Sequence, residues 1–305
     1  MNQTSKTITF FGSGPVAAAS LEYLHTQFGV ELVITKHRPA HHKDPAPVEE
    51  FAKAHGLRLD FADTTDELES VIISQQPDKL CGVVIDYGVI ISQPVIDYFE
   101  HGIINSHFSI LPEWRGADPI TFSLLSGQQQ TGVSLMRINA GLDTGAIIAE
   151  SFVTIEPDET NTTLTEKLIA TSNTLISTKL PDYIDRQIIA VPQAPERITT
   201  HSRKLTKQDG ILDPTKPAQV LEREIRAFNV WPKSKLIINN QLTVIVTQAA
   251  VANQHLQPGE LLVTQDNKQL ILGTRVGSLA IIELMPLGKQ KMTTAAFLNG
   301  YGNRI

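Results

Sequence analysis

The sequence predicts an α/β protein built as an N-terminal open sheet with flanking helices, followed by a smaller C-terminal β-barrel. Three observations predict it. Apolar, β-branched runs alternate with helical stretches as far as Lys179, which favours a mostly parallel sheet covered on both faces. The segment Ile188 to Lys204 holds Pro192 and Pro195 and few periodic apolar positions, marking a linker. Beyond it, short β-rich runs follow one another at intervals of about ten residues, the spacing of a small barrel. At 305 residues the chain is long enough for two such domains.

Each element has a local reason. Thr7 to Phe11 is β-branched and aromatic and stops at Gly12-Ser13-Gly14-Pro15, after which Val16 to His25 is rich in Ala and Leu; this is strand, glycine turn, helix. A second strand, Val30 to Thr35, enters the loop Lys36 to Pro47, and helices follow near Val48 to His55 and Asp66 to Gln75. Leu80 to Ile85 reads as a buried strand, followed by the turn Asp86-Tyr87-Gly88 and a short helix, Pro94 to Tyr98. Next come the strand Gly102 to His107, a helix from Pro119 to Ser126, and the strand pair Thr131 to Asn139 and Ala146 to Val153, joined by a turn ending Gly141-Leu142-Asp143-Thr144-Gly145. A long helix, Thr162 to Lys179, closes this part. After the linker come one amphipathic helix, Pro217 to Phe228, and strands at Lys235 to Ile238, Leu242 to Ala249, Glu260 to Thr264, Leu270 to Thr274 and Ser278 to Leu287.

Composition narrows the class of protein. The apolar run Leu80 to Ile96 is interrupted by Asp86 and reads as strand and turn rather than a membrane span, and the amino-terminal apolar patch is too brief for a signal peptide. No membrane association is expected, and the single Cys81, set in an apolar run, reads as a buried small hydrophobe in a reducing, cytoplasmic setting. The net charge of −6 conceals an asymmetry: residues 1–200 balance at −12 and residues 201–305 at +6. A basic C-terminal third on an acidic body points toward a polyanionic partner.

The densest chemical signal is Asn105-Ser106-His107-Phe108-Ser109-Ile110-Leu111-Pro112, with Asp143 between two glycines further on. On a strand Asn105 and His107 share a face, and the carboxyl end of a strand is where open α/β sheets place their sites. An amide can donate to a developing oxyanion, an imidazole can move a proton, and a carboxylate can orient the imidazole. Local hydrogen bonding and turn formation are the other readings of the same three residues.

Taken together with Trp114-Arg115-Gly116, Thr131-Gly132-Val133, Lys204-Leu205-Thr206-Lys207, Asp209-Gly210, Ile225-Arg226-Ala227-Phe228, Trp231-Pro232 and Phe297-Leu298-Asn299-Gly300, the chain closely resembles the methionyl-tRNA formyltransferases, a branch of the folate-dependent formyltransferases. The resemblance spans nearly the whole sequence. It implies a Rossmann-like catalytic domain at 1–190, a linker at 191–204, and an OB-like barrel at 205–305 that binds tRNA. It implies 10-formyltetrahydrofolate as formyl donor, initiator methionyl-tRNA as acceptor, no metal and no obligate protein partner. Carried onto matching positions, it makes Asn105, His107 and Asp143 the catalytic set. The folate site then comprises Ser109, Ile110, Leu111 and Pro112 together with Asp86, Tyr87, Gly88, Val89, Ile90 and Ser92.

The sequence departs from that pattern in three places. The loop Lys36 to Pro47, which in the family enters the acceptor stem, is shorter and lacks the usual Gly-Arg-Gly-Lys-Lys run, keeping Lys36, Arg38, Lys43, His37, His41 and His42. Pro39 breaks any regular histidine spacing, so no metal site is expected there. Asp118 replaces a small apolar residue, and Gly12-Ser13-Gly14-Pro15 replaces the common Gly-Thr-Pro opening while keeping the turn. Competing readings are formylation of an amino-sugar nucleotide, hydrolysis of formyltetrahydrofolate, and a non-catalytic RNA-binding protein. A nucleotide-binding oxidoreductase fits poorly, because Gly12-x-Gly14 lacks the third glycine.

Overall fold

The computed structural model describes residues 6–38, 46–239, 242–265, 268–302 and 305. Lys43, His41, His42 and Pro39 of the basic loop lie outside the described residues. The chain divides into two compact units: residues 1–119, 130–154 and 165–202 form the first, and residues 120–129, 155–164 and 203–305 the second.

Strand β1 (Thr7–Phe11) leads to α1 (Pro15–Gln27), whose first residue is a proline, tolerated there because its missing N–H has no helical partner to lose. β2 (Gly29–Thr35), α2 (Pro47–Ala54) and β3 (Arg58–Phe61) follow. Thr64 then caps α3 (Thr65–Gln75), its side chain accepting from the Glu67 N–H at 3.3 Å. β4 (Gly82–Val84), α4 (Gln93–Tyr98), β5 (Ile103–His107) and the two-residue β6 (Arg115–Gly116) complete the first stretch. After α5 (Pro119–Ser126), β7 (Gln130–Arg137) and β8 (Ile147–Thr154) form a hairpin-like pair, followed by α6 (Asn161–Ile184) and β9 (His201–Ser202).

Among the described residues the large sheet has seven strands in the order β3-β2-β1-β4-β5-β7-β8. Pairing is parallel from β3 to β5 and antiparallel where β7 joins β5 and β8 joins β7. The alternating pattern therefore predicted the parallel portion, and the adjacent strand pair supplies the antiparallel edge. Strand order reverses between β1 and β4, and the carboxyl ends of those two strands are the crevice position where open α/β sheets bind ligands. Phe11, Leu32, Ile34, Leu68, Ile96, Phe99 and Ile103 pack one core beneath it. Cys81 is wholly buried, as its surroundings in the sequence predicted, and burial pushes its thiol pKa up to about 12.

Besides the short β6 and β9, the latter within the segment expected to be linker, two further features of this unit were not predicted. β3 reads Arg-Leu-Asp-Phe and is only partly covered, because it is the edge of the sheet and needs only one apolar face. α6 runs on to Ile184 through Pro181 instead of ending at Lys179.

The second unit holds α7 (Ala218–Ala227), β10 (Ser234–Ile238), β11 (Leu242–Ala252), β12 (Leu261–Val263), β13 (Leu270–Gly273), β14 (Ser278–Pro286), β15 (Met292–Thr293) and α8 (Thr294–Tyr301). The strands form one antiparallel sheet in the order β10-β11-β14-β13-β12, with β15 on β14. The eleven-residue β11 pairs with β10 and β14 and shifts register near Gln248, which curls the sheet into a half-barrel. Leu221 and Ile225 of α7 and Phe297 and Leu298 of α8 fill its concave face against Val244, Val246, Leu279, Ile281 and Leu284. Arg226 on α7 donates to the Glu159 carbonyl at 2.7 Å, one of the bonds that bring residues 155–164 into this unit. No helix among the described residues is long and apolar enough to cross a membrane.

Candidate active site

Because successive side chains on a strand face opposite ways, β5 sorts its own polar residues. Ser106 turns to α6 and shares a 2.6 Å hydrogen bond with Ser172, while Asn105 and His107 both come within reach of Asp143. Asn105 Nδ2 stands 3.5 Å from Asp143 Oδ1, and His107 Nδ1 stands 3.7 Å from Asp143 Oδ2. The three residues singled out from the sequence therefore converge in space across 38 positions of chain.

The cluster's side chains also meet backbone groups of Trp114 and Gly116. His107 Nε2 lies 3.0 Å from the Trp114 carbonyl, and the Gly116 N–H donates to Asp143 Oδ2 at 2.8 Å. A carbonyl can only accept, so the Nε2 position carries the proton and Nδ1 of the neutral ring keeps its lone pair toward Asp143. His107 is 6 % exposed, and burial lowers its pKa, with the Asp143 charge and the Trp114 carbonyl opposing the shift. A neutral imidazole with a carboxylate near its open nitrogen is arranged to take up a proton there.

Asp143 itself has a φ of 49°, an unusual left-handed conformation for a residue with a side chain. Its turn is tied internally by Asn139 Oδ1, which accepts from the Gly141 N–H at 3.1 Å and from Thr144 Oγ1 at 2.9 Å. Gly145 closes the turn so tightly on β7 that a Cβ there would sit 1.8 Å from the Arg137 carbonyl oxygen.

The segment Ser109 to Pro112 leaves the end of β5 with its side chains turned inward. Ser109 and Leu111 are fully buried and Ile110 nearly so, and the Leu111–Pro112 bond is cis. Ser134 on β7 fixes this loop, accepting from the Leu111 N–H at 3.0 Å and donating to the Ser109 carbonyl at 2.8 Å. Sequence reasoning passed over Ser134, although a hydroxyl inside the run Val133-Ser134-Leu135-Met136 is a signal that something polar is being met.

The loop after β4 is tied to the first glycine turn. Ser13 donates its N–H to the Asp86 carbonyl at 3.1 Å and its hydroxyl to the carbonyls of Asp86 and Tyr87 at 3.0 and 3.2 Å. Tyr87 points inward and donates to the Ala62 carbonyl at 3.0 Å; Asp86, Gly88 and Ile90 are exposed, and Val89 packs at the edge of the core. Ser92 starts α4 with a buried hydroxyl lacking a hydrogen-bond partner. Val84 of β4 is in register with Asn105 of β5, so this loop and the Asn105–His107 face leave neighbouring strands at the same end.

Asp86 carries the most perturbed carboxyl of the crevice. Its pKa is raised to about 6, chiefly by desolvation and then by the Asp118 charge, with Lys36 pulling the other way. Although part of the residue is open to solvent, the carboxylate itself lies against the backbone of Gly14, where a Cβ would come within 2.3 Å of Oδ2. Asp118, one of the departures noted in the sequence, thus acts on the crevice through charge. His37, from the basic loop, stacks on Phe61 at 4.6 Å and contacts Asp63 Oδ2 at 2.8 Å.

With this geometry in view, comparison with known proteins is specific. Residues 6–180 match the family described as Formyl transferase, and residues 204–302 match Formyl transferase, C-terminal domain. The chain is 34 % identical over 300 residues, covering 96 % of both chains, to the methionyl-tRNA formyltransferase of Halorhodospira halophila. It is 33 % identical over 311 residues to that of Idiomarina loihiensis, covering 97 % of this chain and 96 % of the relative. Among solved structures, a sugar 3N-formyl transferase, WlaRD, determined in the presence of dTDP and 5-N-formyl-THF, superposes with a TM-score of 0.68 at 19 % identity, over 94 % of this chain and 99 % of that one. At that identity the likeness is one of fold.

Proposed function

The chain belongs to the formyl transferase family, and from that premise we propose that it transfers the formyl group of 10-formyltetrahydrofolate to the amino group of initiator methionyl-tRNA. The observation that carries the acceptor is the end-to-end identity with methionyl-tRNA formyltransferases, at 34 % over 96 % of both chains. The observation that carries the chemistry is the approach of Asn105 and His107 to one carboxylate, Asp143.

The residues present suit a reduced folate. Asp86, Gly88 and Ile90 are exposed along the loop after β4, and nothing lies within 4 Å of where a Gly88 Cβ would stand. A flat ring could approach that backbone closely. The segment Ser109 to Pro112, pinned by Ser134, would border the other side of the donor through its main chain.

In this reading the acceptor nitrogen bonds to the formyl carbon, and the bond from that carbon to the donor nitrogen then breaks. Asn105 Nδ2 donates to the formyl oxygen as it gains negative charge. His107 takes the proton released by the acceptor nitrogen at Nδ1, where Asp143 supports the imidazolium, and delivers a proton to the departing donor nitrogen. Residues 1–190 act as the catalytic domain, with 191–204 as linker. Residues 205–305 bind tRNA, consistent with the positive balance of the last third of the sequence. Lys36 adds positive charge that acts on Asp86 of the crevice loop.

The test is transfer of labelled formyl from 10-formyltetrahydrofolate to initiator methionyl-tRNA, the elongator form, and an amino-sugar nucleotide. Selective labelling of the initiator is the expected result. Labelling of the sugar nucleotide alone would overturn the acceptor and leave the chemistry standing.

A further inference from the structure

The segment between the two family matches makes more bonds to the site than a tether requires. Val191 opens it by pairing with Ile147 at the start of β8, N–H to carbonyl in both directions at 2.7 and 2.8 Å. Two residues later, Gln193 Nε2 donates to the carbonyls of Asp143 at 2.7 Å and Gly145 at 3.0 Å, while its Oε1 accepts from Arg115 Nη2. Both amide protons and the amide oxygen are thereby used.

The segment then passes the other two loops of the site. Arg197 donates to the Leu111 carbonyl at 3.2 Å and pairs with Glu150 at 2.8 Å. Thr200 accepts from the Trp114 N–H through its hydroxyl at 2.8 Å and from the Arg115 N–H through its carbonyl at 3.0 Å. His201 and Ser202 pair with Arg115 and Gly116 as the short parallel ladder β6–β9. Residues 191–202 thus run as a strap across the Asp143 turn, the Leu111 loop and the Trp114–Gly116 segment. Gln193 bridges the first of these to the third.

The geometry points to Gln193 as a positioning residue for Asp143. It rests on the reading that Asn105, His107 and Asp143 carry formyl transfer. A side-chain-bearing residue in the left-handed region, as Asp143 is, persists only where its surroundings over-determine it. The Gln193 amide does so from below, holding the carbonyl of Asp143 itself. The same side chain, through Arg115, links that turn to the segment whose Gly116 N–H binds the Asp143 carboxylate and whose Trp114 carbonyl binds His107. Releasing it leaves the Gly116 N–H to tie the turn to that segment, and the carboxylate shifts away from His107 Nδ1.

The test uses the full-length protein and two variants. Gln193→Met keeps length and removes the amide. Gln193→Glu keeps the acceptor for Arg115 and removes only the donors to the Asp143 turn. In both, kcat for formyl transfer should fall roughly 10- to 100-fold, since small misplacements of a catalytic group carry costs of that order. KM for the formyl donor should stay within about threefold. In Gln193→Met the His107 titration midpoint, followed by NMR in the absence of substrates, should move further down as Asp143 withdraws. The Glu variant is read by kcat alone, because its own charge acts on His107 in the opposite sense.

An unchanged His107 midpoint in Gln193→Met, or wild-type kcat in Gln193→Glu, would overturn the assignment. If the wild-type protein transfers no formyl group to any acceptor, the functional reading fails while the NMR comparison still decides the role of Gln193. Should Gln193→Met fail to fold, as shown by loss of its cooperative thermal transition, the Glu variant decides it through kcat.

Discussion

His107 gives its Nε2 proton to the main-chain carbonyl of Trp114 at 3.0 Å, and this one bond determines which nitrogen of the ring can do chemistry. With Nε2 occupied as a donor, Nδ1 is left as the basic atom, and the Asp143 carboxylate stands 3.7 Å from it. Burial keeps the resting ring neutral and the carboxylate steadies it once protonated.

The rate of transfer should follow that arrangement. Because the folded pKa of His107 lies below its usual value of about 6.5, activity should climb through a midpoint under that pH and level off above it. Asp143→Asn removes the charge that favours imidazolium, so the midpoint moves lower still and the plateau drops by about 100- to 10,000-fold. A pH–rate profile of both proteins measures this, and a midpoint that rises in the variant would refute the arrangement. Linkage gives a second consequence. The unfolded chain binds this proton more readily than the folded one, so folding stability should decline as pH falls below about 6.5, and decline less in His107→Gln. Urea midpoints at pH 5 and 7 make the comparison.

Asn105→Ala removes the proposed donor to the oxyanion at a half-buried position in the middle of β5. A loss of about 100- to 1,000-fold in kcat is expected, with donor affinity and the thermal midpoint close to wild type. Single-turnover kinetics that retain the wild-type rate would exclude Asn105 from the reaction.

Asp118 and Asp86 make an electrostatic prediction independent of activity. Removing the Asp118 charge with Asp118→Ala should lower the Asp86 titration midpoint from about 6, and Lys36→Met should raise it. Carbon-13 NMR of the carboxyl groups reads both shifts. Two shifts of the same sign would mean that Asp86 answers to something other than these two charges.

Ser134→Ala leaves the buried Leu111 N–H without an acceptor and the Ser109 carbonyl without its donor. Leaving such a group unsatisfied costs about 1–3 kcal/mol, and loosening the Ser109–Pro112 loop should raise KM for the folate donor. Chemical denaturation and donor titration check the two effects separately; stability within about 0.5 kcal/mol of wild type would show that water or repacking replaces the hydroxyl.

Much of this architecture was legible in the sequence because it rests on side-chain pattern. Alternating apolar runs and glycine turns gave the order of β1, α1, β2, β4 and β5, and the two-residue spacing of Asn105 and His107 gave their shared face. β3 escaped because Arg58 and Asp60 interrupt any apolar run, as an edge strand permits. α8 was passed over as an element, although its Phe297 and Leu298 had been noted, because eight residues leave little room for a helical period. The assignment of residues 120–129 and 155–164 to the second unit depends on tertiary contacts that no local pattern encodes. The Trp114 carbonyl and the Gly116 N–H were invisible for a deeper reason: every residue but proline owns both groups, so nothing in the letters marks the ones that are used. Gln193, an ordinary polar residue between two prolines, looked like linker for the same reason.

Cys81, sealed in the interior next to Gly82 at the start of β4, has a use the chemistry of the crevice does not suggest. It is the sole thiol of the chain, it is inaccessible in the folded protein, and its thiolate is suppressed at neutral pH. A labelling reagent can therefore reach it only when the strands that carry the Asp86 loop part from their neighbours. The rate at which Cys81 is modified is a built-in clock for that opening, and slowing of the clock by a folate would measure how firmly an occupant locks the sheet beneath it.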